Sequence, residues 1–176
     1  MKKFTLPIYA ILFVLFFSAC NGSNASRDKY GTYQKEIDII YVAHSGFGQT
    51  LREHKIDLQN KQYFEYTAEI GEGYVPRDAS AENEGFTFLS NLEEDKIAAF
   101  IRSSARYGFT NWKEAYNNYN VDDGDQWEIK ILFADGTQKT ITGSNAYPKT
   151  WNNMYKAFED LTGENILLLK SGWLHN

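Results

Sequence analysis

The chain has 176 residues carrying 18 basic and 23 acidic side chains, a net charge of −5, and is 43% hydrophobic and 16% aromatic. That length suits one domain with a short extension, and a chain this apolar can offset its ordering entropy, which excludes wholesale disorder. One cysteine excludes an internal disulfide framework and a multi-cysteine zinc site, and the acidic balance disfavours a duplex nucleic-acid partner, which needs a basic footprint.

Met1-Lys2-Lys3 is a short basic start, and Phe4 to Phe17 is an almost unbroken apolar run. The run is shorter than the ~20 residues a helix needs to span a bilayer, so its shape is that of a secretory signal. Small residues Ser18-Ala19 follow, then Cys20. Phe17-Ser18-Ala19-Cys20 resembles the lipobox of bacterial lipoproteins, with Phe17 where that family usually has Leu. The resemblance implies that residues 1–19 are a cleaved signal peptide. It further implies that the Cys20 thiol carries diacylglycerol, and that fatty-acyl chains hold the protein on the exported side of the cell membrane or outer membrane. Two or three acyl chains suffice for stable attachment where one does not. Cleavage before Cys20 removes Lys2 and Lys3 and no acid, which leaves the mature chain still more acidic and unsuited to electrostatic binding of anionic lipid.

Residues 20–36 are small and polar at their start (Asn21-Gly22-Ser23-Asn24) and read as a tether, with one globular domain over 37–176. Strand signals come first: Ile37–Val42, then Leu51–Leu58 with His54, Ile56 and Leu58 on one face. Phe64, Tyr66, Ala68 and Ile70 alternate with polar residues, Gly71–Gly85 is a polar loop, and Phe86–Phe88 closes the meander. Ser90-Asn91-Leu92-Glu93 fits a capping box opening a helix with Ile97, Phe100, Ile101 and Ala105 on its apolar face, ended by Gly108. Thr110–Tyr116 reads as one or two further helical turns.

Trp127, Ile129, Ile131 and Phe133 alternate before Ala134-Asp135-Gly136, a hairpin signal. A three-residue loop sets Ile129 opposite Ile141 and Phe133 opposite Thr137, whereas a two-residue turn pairs Ile141 with Lys130; apolar alignment favours the first. Pro148 and Gly163 bracket a last helix with Trp151, Met154, Phe158 and Leu161 as its stripe. Ile166–Leu169 reads as a buried final strand. The expected class is α+β: an antiparallel sheet of about six or seven strands with two main helices packed on one face.

Chemical motifs are sparse. His44, His54 and His175 are too far apart in sequence to form a paired metal motif, and a lone strand histidine is more often packed than ligating. Asn118-x-Asn120-x-Asp122-Asp123-Gly124-Asp125 has its glycine at the seventh position and Ile129 at the twelfth, which does not match a calcium loop. Ser26-x-x-Lys29 lies in the tether. His44 and Ser45 are neighbours on a strand and so point to opposite faces, wrong for a base acting on that serine. No metal, cofactor or catalytic residue is assigned on these grounds.

Gly143-Ser144-Asn145-Ala146-Tyr147-Pro148 leads into the last helix. Bare helix-start N–H groups there can hold an anion, but capping by Ser144 or Asn145 is the simpler account. With the Trp-led strand, the Asp-Gly turn and the following Trp, this segment resembles a domain found in many uncharacterised bacterial proteins. The resemblance covers roughly residues 86–163; it implies a recurrent fold and leaves function open. Trp127, Trp151 and Phe158 fall on core stripes; Trp112, Tyr116, Tyr119, Asn145 and Tyr147 remain as candidate surface contacts for a carbohydrate, peptide or protein ligand. The expected function is therefore a lipid-anchored, non-catalytic binding domain of the cell envelope. The alternative is an envelope hydrolase acting on cell-wall sugars or peptides, which requires a cleft with paired carboxylates or a histidine beside Ser45.

Overall fold

A computed structural model describes residues 35–45, 51–68, 85–121 and 124–167. Cys20, the signal segment, the tether up to residue 34, Ile70, the 71–84 stretch, Asp122-Asp123 and His175 lie outside them. The described strands are β1 (Ile37–Ser45), β2 (Leu51–Asp57), β3 (Gln62–Ala68), β4 (Thr87–Asn91), β5 (Ala115–Asn117), β6 (Gln126–Phe133) and β7 (Gln138–Ser144). They form one seven-stranded sheet ordered β4-β3-β2-β1-β6-β7-β5, antiparallel throughout except for β5 beside β7. Two helices, α1 (Glu94–Tyr107) and α2 (Trp151–Thr162), complete an α+β fold. Neither is long and apolar enough to cross a membrane.

Ile40, Val42, Ile56, Ile129, Ile131 and Ile141 are fully buried on the sheet face under the helices, where Phe100 of α1 meets Phe158 of α2 at 4.8 Å between ring centroids. The predicted stripe of α2 is buried throughout, at Trp151, Met154, Phe158 and Leu161. In α1 only Phe100 and Ser104 are buried, while Ile97 and Ile101 are half-covered. The hairpin adopts the register that aligns apolar partners: Ile129 lies opposite Ile141, and the Phe133 N–H donates to the Thr137 carbonyl at 2.9 Å. Gly136 supplies the left-handed turn residue at φ 77°.

Four local expectations are corrected. Ser90 does not cap a helix; it pairs with Tyr63 in β4, and α1 starts at Glu94 after Glu93, whose side chain makes no capping bond. Sheet pairing outweighs a local capping pattern there. Thr110–Tyr116 is not helical beyond one 3₁₀ turn at Phe109–Asn111, because the chain extends as β5 along β7. On β3 the residue facing the helices is Tyr63, opposite Ile56, and Phe64 lies on the other face beside Lys55, whose ammonium sits 5.5 Å from its ring. Ile166 and Leu167 are buried as expected but are not in a strand; 168 and 169 lie outside the described residues.

β1 carries a bulge. Ile37 pairs with Phe133 and Ile39 with Leu132, which leaves Asp38 as an extra residue without a partner on β6. The bulge lets Ile37 and Ile40 both reach the core although an unbroken strand would send them to opposite faces.

Candidate functional site

The segment after β7 is explained by packing. Trp127 of β6 lies across Gly143, where an added Cβ would stand 2.0 Å from the indole Cε2. The Trp127 Nε1–H donates to the Ala146 carbonyl at 3.0 Å, and the ring is walled by Trp151 at 4.6 Å and Tyr147 at 6.2 Å. Asn145 sits at φ 51°, a left-handed conformation that Asn tolerates, and its Oδ1 accepts from the Asp125 N–H at 2.9 Å. The Tyr147 hydroxyl donates to Asp125 Oδ2 at 3.0 Å. Burial and that carboxylate push the Tyr147 hydroxyl up to about 12, so it stays a neutral donor.

Neither Ser144 nor Asn145 caps α2, which is a further correction. The residue before the helix is Thr150, whose hydroxyl donates to the Tyr107 carbonyl at 2.9 Å and accepts from Trp112 Nε1–H at 3.0 Å. Pro148 stands three residues before the helix, its carbonyl accepting from the Trp151 N–H. The Gly-Ser-Asn-Ala-Tyr-Pro segment therefore ties the end of the hairpin to the start of α2.

The predicted contact residues do not converge on a surface. Trp112 is buried, stacked 5.8 Å from Trp151, because the chain turns inward after the 3₁₀ segment. Tyr119 is 88% exposed and isolated from the other rings, its hydroxyl accepting from Asn117 Nδ2 at 3.3 Å. Asn145, Tyr147 and Tyr116 are half-buried. His44 and His54 are buried on the helix side of the sheet. Burial holds His44 down at about 4, partly opposed by the Ile166 backbone and Asp125, and holds His54 at about 3, so both are neutral at pH 7. His54 Nδ1 and the Tyr63 hydroxyl share a hydrogen bond at 2.8 Å, while neither ring nitrogen of His44 reaches a partner at full hydrogen-bond geometry among the described residues. No group of three or more His, Cys, Asp or Glu among the described residues is placed to hold a metal ion.

A cavity of about 460 Å³ opens where β1 begins, β2 ends and α1 passes over them. That volume lies within the ~300–1,000 Å³ range of small-molecule sites. Its walls are aliphatic: Ile37, Leu58, Ile97 and Ile101. Ser104 lines it from α1, is 1% exposed, and its hydroxyl finds no hydrogen-bond partner among the described residues. A buried hydroxyl left unpaired forfeits ~1–3 kcal/mol, a cost that a polar contact at this position would relieve.

Apart from Ala134, the remaining lining is charged or polar. Glu36 and the bulged Asp38 both face the cavity, and neither forms an ion pair or side-chain hydrogen bond with another described residue. Asp38 is raised above the usual carboxylate range, first by burial and then by Glu36 and Asp57. Lys35, on the same rim, is committed elsewhere: its ammonium lies 2.9 Å from Asp135 Oδ2 and donates to Thr137 Oγ1 at 2.7 Å. Asp135 is held down at about 2 by hydrogen bonds from Thr137 and Lys35. The cleft thus combines an apolar body, one unpaired inner hydroxyl and an acidic mouth. Sequence reasoning missed it because its walls come from four separate stretches of chain. The visible signal was Asp38, a charge inside an otherwise apolar strand run. No protein-family model, curated protein or solved structure matches this chain.

Proposed function

We propose that the protein is a lipid-anchored component of the bacterial cell envelope that binds a ligand, without transforming it, in the cleft between α1 and the β1–β2 end of the sheet. The observation that carries the binding half is the cleft itself, with four aliphatic walls and the unpartnered Ser104 hydroxyl within it. The anchoring half rests on Phe17-Ser18-Ala19-Cys20 after a basic and apolar leader, and on Cys20 being the only cysteine of the chain.

A second reading is an envelope hydrolase, favoured by Glu36 and Asp38 lining one cavity, with Asp38 raised from its ordinary value by burial and by Glu36 and Asp57. The lining argues for binding over this. Sugar-cleaving clefts use aromatic platforms and dense hydrogen bonding, whereas the described walls here are Ile and Leu.

Radioactive palmitate labelling followed by fractionation tests the anchor: the wild type is expected to carry label and sediment with membranes, and Cys20→Ala to do neither. Unchanged labelling or unchanged membrane retention of that variant overturns it. Native mass spectrometry of the chain recovered from its envelope tests the binding: a small-molecule adduct is expected, and its loss in Ile101→Arg places it in the cleft. An adduct that survives this substitution overturns the cleft assignment. Release of reducing ends from cell-wall glycan, lost in Asp38→Asn, would promote the hydrolase.

A further inference from the structure

We propose that the cleft selects a small amphiphilic cation: an aliphatic body with an ammonium or guanidinium head at one end and a hydrogen-bonding group at the other. This rests on the reading of the cleft as a binding site and adds the chemistry of its ligand.

Three placements carry it. The interior is Ile37, Leu58, Ile97 and Ile101, with no aromatic face among the described lining for a ring to stack on, which suits an aliphatic chain. The mouth has two carboxylates, Glu36 and Asp38, unneutralised by any described cation, while Lys35 in the same lining is bound to Asp135 and Thr137. An anionic ligand meets like charge there, and a cationic one supplies the missing counter-charge beside the exposed Glu36 and the half-buried Asp38, a pairing that salt screens. The β1 bulge is what turns Asp38 into this position, since a regular ladder would give it a partner on β6. Ser104 lines the cleft, and its almost wholly buried hydroxyl has no partner among the described residues; a hydroxyl or carbonyl on the inner end of the ligand would supply one.

The test uses the full-length chain in lipid nanodiscs with its isoleucine δ-methyl groups labelled, and reads the methyl resonances of Ile37, Ile97 and Ile101 during titration. The probes are hexylamine, 6-amino-1-hexanol and hexanoate, matched in size and differing in head charge and inner end. Methyl shifts locate binding in the cleft whatever fraction of probe partitions into lipid. Hexylamine is expected to bind at least tenfold tighter than hexanoate at low salt, with the preference shrinking as salt is added. In Glu36→Gln/Asp38→Asn that ratio is expected to fall near one. 6-Amino-1-hexanol is expected to exceed hexylamine in the wild type and to lose that advantage in Ser104→Ala.

If hexanoate shifts the same methyls with equal or greater affinity, the cleft is a site but the charge assignment is overturned. If no probe moves these methyls in the wild type, the cleft reading itself fails. An amine preference that persists in Glu36→Gln/Asp38→Asn overturns the role of the acidic mouth.

Discussion

Replacing Gly143 with Ala sets one methyl against one indole, and the structure gives the size of the conflict. The new Cβ would stand 2.0 Å from Trp127 Cε2 and 2.2 Å from both Cζ2 and Nε1. Carbon atoms pack at ~3.5–4.0 Å, so the ring or the strand must shift by about 1.5 Å. The ring has little freedom to do so. Its Nε1–H is bonded to Ala146, and Trp151 at 4.6 Å, Tyr116 at 6.0 Å and Tyr147 at 6.2 Å surround it. Overpacking in a filled core costs ~1–3 kcal/mol and more where relaxation is blocked, against a gain of ~0.5–1 kcal/mol for Ala over Gly in a strand. We expect a net loss of about 3 kcal/mol, a large part of the ~5–15 kcal/mol that holds a domain folded. Urea unfolding followed by far-UV circular dichroism measures it. Trp127→Leu alone is expected to lose about 3 kcal/mol by truncation, but the double variant should recover at least 2 kcal/mol relative to the sum, because the clashing atoms are gone. A loss below 1 kcal/mol for Gly143→Ala, or additive losses in the double variant, refutes the reasoning.

Acid should weaken the fold through its buried histidines. His44 is held at about 4 and His54 at about 3, below the ordinary 6.5, so the unfolded chain gains protons that the folded chain refuses. Stability is fully present above pH 6.5 and is lost as pH falls from there toward 4, by roughly 3 kcal/mol for His44 alone at ~1.4 kcal/mol per pH unit. Urea midpoints at pH 7.0 and 4.5 check this; equal values refute it, and His44→Leu should flatten the dependence. Gly108 ends α1 at φ 63° with open space where a Cβ would go, so Gly108→Ala carries backbone strain without a clash. It should lower stability by about 1 kcal/mol, and a stabilised variant in the same urea assay would contradict the left-handed cap.

What could be read from the chain was local and what could not was assembled. The β6–β7 register is legible because Ala134-Asp135-Gly136 fixes the turn within a few residues of the pairs it aligns. Gly108 and Gly163 mark helix ends for the same reason, each sitting in the left-handed conformation the sequence leads one to expect. The start of α1 was misplaced because Ser90 and Asn91 find partners on Tyr63 and Gln62, distant residues that no local pattern announces. β5 was hidden likewise: Ala115–Asn117 is short, its run from Thr110 looks helical, and only β7 makes it a strand. Trp112 illustrates the limit for site residues. Its sequence neighbourhood is polar, yet Trp151 and Thr150 draw it into the core. The cleft has no sequence signature beyond Asp38, since Glu36, Leu58, Ile97 and Ser104 become neighbours only when β1, β2 and α1 are in place.

The sheet order has a consequence for how the fold can form. Its centre is the β1–β6 ladder, which joins Ile40 to Ile131, and between them the chain builds β2, β3, β4, α1 and β5. Closing a loop of about ninety residues forfeits roughly 4 kcal/mol of chain entropy before the ladder returns any of it, so the molecule belongs among slow folders of high contact order. A chain that emerges N-terminus first, from a ribosome or through a translocation channel, can form the β1–β4 meander early. The inner edge of β1, with Ile40 and Val42 on it, then waits uncovered until Trp127–Phe133 has emerged. That interval is when the protein is open to mispairing with a stray strand, and it is when a chaperone that holds unfolded chains would have most to protect.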